Sequence, residues 1–319
     1  MARPHPSLTV GLATLLLALS ACQPATTVPT AGVVPTPPST SSIPPTPVQK
    51  DLTRPGEARR MIDQLLAAAG IGRLIMVEVT AETATISVLP PDGGEPVTWA
   101  YRDGTAQQVD SDLQYVDQAS FSLDGFDVSD LGRLFRVAAA ISGSTHKQTL
   151  QIVDYSGGRV VMAVTTNPES RTVFFEPDGS LLPDLDYHTL RGITEGLDTV
   201  VDDRVTVQAA GVDSAAGAWV EFSTSESTTT RRQRPARVPV TTLRRDDALP
   251  LPPFAAAGIR PEAIWRVLQR TIDADDLSSD VVWSVTVDDR EDTGEPRMYF
   301  SIGAESLVTD LAGSTVTSG

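Results

Sequence analysis

A chain of 319 residues with a formal net charge of −16 and a single cysteine is already narrowed in what it can do. So negative a surface is repelled by phosphate backbones, which makes nucleic acid a poor partner. One cysteine rules out a disulfide-stapled scaffold, so the fold must rest on its own core, and no apolar run reaches the ~20 residues of a membrane-spanning helix.

In chain order the first predicted element is an export signal. Arg3 supplies a small positive start, residues 8–19 ("LTVGLATLLLAL") form a short apolar segment, and Ser20 and Ala21 lead into Cys22. The "LSAC" run resembles the lipobox of bacterial lipoproteins. That resemblance implies that Cys22 is lipidated on sulfur, becomes the first residue after cleavage and is then acylated on nitrogen. It implies an anchor on the extracytoplasmic face of the cell membrane, with Cys22 neither a nucleophile nor a disulfide partner. Acyl chains contribute ~0.8 kcal/mol per buried methylene, so several of them hold durably.

Residues 23–55 carry Pro, Thr and Ser throughout and almost no charge. Such a segment cannot build a core, and in polyproline form its ~3.1 Å per residue gives a tether on the order of 100 Å long. Its composition also suits a glycosylated stalk or a PxxP ligand.

Past residue 55 the pattern is of helices and strands in two rounds. "EARRMIDQLLAAAG" places Met61, Ile62, Leu65 and Leu66 on one helix face with Gly70 as a C-cap. Alternating strands follow in "LIMVEV", "TATISVL" and "VTWAYR", separated by turns at Ala81-Glu82 and Asp92-Gly93-Gly94. A second helix is read in "FDVSDLGRLFRVAAAI", with Ser129 or Asp127 as N-cap and Leu131, Leu134, Phe135 and Ala138 at helical spacing. Then come "LQIVDY", the Gly-turn strand "DYSGGRVVMAV" and "VFFEPDGSL".

The second round repeats this order at an offset of 133: Leu131 meets Ile264, Arg133 meets Arg266 and Leu134 meets Val267 in "IRPEAIWRVLQRTI", whose Pro261 opens the helix. Before it stand a short helix over residues 190–201 and the strands "RVTVQAAG", "GAWVEFS" and "RVPVTTL". The expected fold is therefore α+β: two tandem similar units, 56–186 and 187–319, each of antiparallel strands with two helices packed on the sheet.

The helix-then-three-strand pieces, over 128–182 and 260–315, resemble PepSY-like modules of exported bacterial proteins through their helix, Gly-turn strand and closing "FEPDGSLL". The second copy departs from that ending, with "TDLAGSTV". The tandem layout is also similar to that of the bacterial β-lactamase inhibitor proteins. Both resemblances imply binding or regulation rather than catalysis.

Catalytic patterns are sparse after the tether. His146 and His188 are its two histidines; His188 near Asp184 and Asp186 would make at most a weak zinc site, which normally needs three or more converging ligands. No Gly-x-Ser-x-Gly turn offers a nucleophile. "DADDLSSD" has Ser278 and Ser284 where a calcium loop needs Gly and Glu, and reads as a helix C-cap and loop. No metal or cofactor is expected, and an enzyme of the cell envelope would rest only on the abundance of acids.

One region is basic: residues 231–245 carry Arg231, Arg232, Arg234, Arg237, Arg244 and Arg245 with no acid. It is read as a charged edge strand or loop, or as a site for an anionic wall polymer, lipid headgroup or acidic partner. Interface anchors favour Trp, Tyr and Arg, so the candidate binding residues are Trp99, Tyr101, Trp219, Arg231, Arg232 and Arg234, gathered at a cleft between the units. The expected function is a cell-surface, lipid-anchored binding or regulatory protein without catalysis. Its partners would be the membrane, through the anchor, and a protein, envelope polymer or lipid ligand. The alternative is a lipid or small-hydrophobe carrier with an apolar cavity enclosed by sheets and helices, for which strands apolar on both faces would speak.

Overall fold

The computed structural model describes residues 50–102, 104–110, 118–169 and 171–316. Cys22, its signal and nearly all of the tether lie outside these residues.

Two seven-stranded antiparallel sheets organise the chain. The first holds β1 (Arg73–Val79), β2 (Ala84–Leu89), β3 (Val97–Arg102), β4 (Thr105–Val109), β5 (Thr149–Ser156), β6 (Arg159–Thr165) and β7 (Val173–Phe175), in the order β4-β3-β2-β1-β5-β6-β7. After the short β8 (Thr206–Val207), the second holds β9 (Ala209–Asp213), β10 (Gly217–Ser225), β11 (Thr228–Arg234) and β12 (Thr241–Arg245). Past β13 (Phe254–Ala255), which pairs with β8, it is completed by β14 (Trp283–Asp288), β15 (Arg297–Ile302) and β16 (Glu305–Thr309). Its order, β12-β11-β10-β9-β14-β15-β16, is the same as that of the first. The helices are α1 (Glu57–Ala69), α2 (Leu131–Ser142), α3 (Leu190–Val201) and α4 (Pro261–Ala274).

This corrects the expected class. The chain is mostly β, with sixteen strands against four α-helices among the described residues, and does not divide into α+β units of two helices on a sheet. The excess of strand comes from segments with no apolar alternation. "TAQQV" (β4) and "TTLRR" (β12) are edge strands held by one backbone ladder each, and "TTTRRQR" (β11) is held by ladders to both β10 and β12, with Thr229, Thr230 and Arg234 buried in place of apolar side chains. The Arg-rich stretch is likewise two strands, β11 lying inside the sheet between β10 and β12, and not one edge strand. The N-cap of α2 is Asp130, which accepts from Arg133 N at 2.8 Å, and neither Asp127 nor Ser129.

The helical stripes are placed by their period. Met61, Ile62 and Leu65 of α1 and Leu131, Leu134 and Phe135 of α2 join one core with Val77, Ile86, Ile152 and Met162. Ile193 and Leu197 of α3 and Ile264, Val267 and Leu268 of α4 join a second with Val212, Val220, Val285 and Phe300. Full burial of each such side chain contributes about 1.5–3 kcal/mol.

The two rounds match in detail. Val77 pairs with Ile152 in the first sheet as Val212 does with Val285 in the second. Arg133 donates to Gly179 O at 2.9 Å, and Arg266, 133 positions on, donates to Ala312 O at 3.3 Å. Small bridges, Phe175 with Leu181 and Thr309 with Thr315, close equivalent turns.

Between the sheets runs a strap, residues 182–188, pinned in part by Arg234. This residue is 3 % exposed, and its guanidinium donates to Pro183 O (2.8 Å) in the strap and to Val238 O (2.6 Å), Ala236 O (3.3 Å) and Pro235 O in the loop after β11. Burial pulls its pKa below the ordinary guanidinium value and raises that of Tyr187, whose hydroxyl donates to Arg234 O. Gly217, at φ +94, passes the same carbonyl where a Cβ would lie 2.2 Å from it, so only glycine fits. Leu185 N donates to Ala236 O at 2.9 Å. Ser156 Oγ donates to Thr242 O at 3.1 Å and accepts from Thr242 N at 2.8 Å, which ties β5 to β12.

Candidate functional site

An antiparallel sheet with one face on a core commonly presents polar residues on the other. In β5, β6 and β7 this alternation breaks down. Leu150, Ile152, Met162 and Val164 point to the core, as the period requires. Their neighbours Val153, Tyr155, Val161, Ala163 and Phe174 point the opposite way and are apolar too.

On this second face Val161, Ala163, Phe174 and Leu182 form a small separate cluster, against which Val238 packs from the loop between β11 and β12. The loop covers only part of the patch. What stays open is a groove of about 540 Å³ floored by Val153, Tyr155, Val161, Ala163 and Phe174 and flanked by Val238. Tyr155 and Phe174 meet edge to face at 5.2 Å, and Tyr155 remains 41 % exposed. A second hollow of about 290 Å³ shares Arg171, Thr172, Phe174 and Arg237 with the first and continues over Leu181 and Leu182. The groove's size falls within the ~300–1,000 Å³ usual for small-molecule sites.

Charge sits at one end. Arg237 is matched by Asp184 at 2.7 Å. Glu169 accepts from Thr172 Oγ1 at 3.1 Å. Arg171 is exposed and makes no ion pair among the described residues.

The residues singled out from the sequence are distributed elsewhere. Trp99 is half-buried against the first core, on the side that faces the helices. Tyr101 lies two residues along the same strand, with Lys50 Nζ 5.0 Å from its ring centre. Trp219 lies on the outer face of the second sheet, across Gly211, where a Cβ would approach its ring to 2.7 Å. Arg231 stacks over it at 4.1 Å and is paired with Glu221 at 3.2 Å. Arg232 reaches the end of α3, bonding Asp202 at 3.0 Å and Thr199 O at 3.2 Å. Arg234 is the buried end of β11 that bonds the strap. Only Trp219 and Arg231 thus meet, and their charge partners are already within the chain: Arg245 also pairs with Glu221, at 3.5 Å. None of the six lines the groove.

The groove residues were legible in part. "RVVMAV" and "VFF" are apolar at successive positions, which is the both-faces signal that the carrier alternative calls for. Among the described residues no group of three or more His, Cys, Asp or Glu side chains is placed to hold a metal ion. His188 N donates to Asp186 Oδ1 at 2.9 Å in the turn that enters α3. No protein-family model matches this chain, and no curated protein matches its sequence.

Proposed function

We propose that this is a lipid-anchored, extracytoplasmic binding protein that acts without catalysis, and that it binds in the groove on the outer face of β5, β6 and β7. The observation that carries this reading is the patch of outward-facing apolar side chains beneath Val238, left partly open where a solvated sheet face is ordinarily polar. The "LSAC" sequence and the nearly uncharged tether support the anchor and the reach. A carrier role for a small hydrophobe is the second reading, and the same groove favours it. An internal cavity does not, because the sides of both sheets that face the helices are filled by fully buried Ile62, Leu134, Ile193 and Ile264.

The neutral fluorophore Nile red tests the site. It is expected to brighten and shift to the blue with the full-length chain carrying Cys22→Ser, which has no acyl groups of its own. Adding Tyr155→Ser removes a half-exposed ring from the floor and should weaken binding about fivefold, the scale of one aromatic contact. Equal binding by the two chains would place the fluorophore elsewhere and overturn the assignment.

A further inference from the structure

The groove is polar at one end and apolar at the other. β7 pairs with β6 at Val173 with Val164 and Phe175 with Met162, so Arg171 and Thr172, just before β7, stand toward the Thr165 end of β6. Arg171, Thr172, Glu169 and Thr165 all line that end. Toward the hairpin of β5 and β6 the lining passes Gln151, whose amide is taken by Glu78, opposite Ala163, and then becomes Val161, Val153 and Tyr155. From Thr165 to Val161 the strand extends about 13 Å.

We infer that the groove takes a single-chain lipid with one negative charge, a long-chain fatty acid, its carboxylate against Arg171 and its chain along Ala163 and Val161 to Tyr155. The inference rests on the binding role proposed above. Charge decides the head group. Asp184 pairs with Arg237, and among the described residues no carboxylate, Glu169 included, lies within ion-pair distance of Arg171. Glu169 also sets an upper limit: with one acid already lining this end, a second charge on the ligand meets repulsion rather than a partner. A guanidinium can hold a carboxylate by two parallel N–H bonds, a geometry an ammonium does not reproduce.

The test compares cis-parinaric acid with its methyl ester by fluorescence titration of the full-length Cys22→Ser chain. The acid is expected to bind roughly tenfold more tightly than the ester, the scale of one charge-assisted contact. Arg171→Gln should bring the acid to the level of the ester and leave the ester unchanged, and Arg171→Lys should restore part of the preference. Equal affinity of acid and ester for the unmodified groove, or an acid preference that survives Arg171→Gln, overturns the inference. In that case continued binding of the ester and of Nile red leaves the binding role standing. Loss of all three ligands from the chain that retains Arg171 removes both.

Discussion

Arg234→Ala is expected to lower the stability of the folded region by about 2–4 kcal/mol, the scale of leaving buried carbonyls without a charged donor. Arg234 is 3 % exposed with its guanidinium among carbonyls of Pro183, Pro235, Ala236 and Val238, and its removal leaves those of Pro183, Pro235 and Val238 without this donor in a place water reaches poorly. Total stability of ordinary domains is only ~5–15 kcal/mol, so the loss is a large fraction of it. Urea unfolding followed by tryptophan fluorescence measures it. Arg234→Lys should recover only part, because one ammonium has three donors and no fork with which to span the strap and the loop. A loss below about 1 kcal/mol for the alanine variant would mean that the strap is held by its other contacts, such as Leu185 N to Ala236 O.

Cys22→Ser is expected to block lipidation and so abolish anchoring through acyl chains. If sulfur and nitrogen at Cys22 carry the acyl chains, serine offers no thiol to modify, and nothing replaces the ~0.8 kcal/mol per methylene that the chains contribute. Fractionation of cells should find the variant in the medium or as an uncleaved precursor, with no mature acylated form in the membrane. Recovery of mature, anchored protein would sink the lipoprotein reading.

What could be read from the sequence followed the periods that burial imposes. α2 and α4 were visible, and visibly equivalent, because Leu131, Leu134 and Phe135, and Ile264, Val267 and Leu268, must all face a core. Gly70 after α1 and Pro261 opening α4 were visible for local steric reasons. The dominance of strand was not, because β4, β11 and β12 are specified by ladder pairing and carry polar side chains. The role of Arg234 was hidden for another reason. Its acceptor at Pro183 is 51 residues away, and no local pattern separates a fully buried arginine in "RRQRPAR" from its more exposed neighbours.

The groove falls between these cases. Val161 and Ala163 are as apolar as Met162 and Val164, and composition alone does not reveal that one pair faces a closed core and the other a partly covered surface. Trp99 and Trp219 attracted attention by residue type, yet one is partly taken up by packing on the first core and the other by Gly211 and Arg231. Residue type suggests what a side chain can recognise, and the face of the strand decides whether it is free to do so.

That alternation along β6 supplies the most direct measurement. Methyl-resolved NMR of the full-length Cys22→Ser chain, titrated with Nile red, reports the two faces of one strand separately. Ligand in the groove is expected to shift the methyls of Val153, Val161, Ala163 and Val238 while Met162 and Val164, on the opposite face, stay in place. Shifts concentrated at Met162 and Val164, or around Trp219 and Arg231 of the second sheet, would contradict the account.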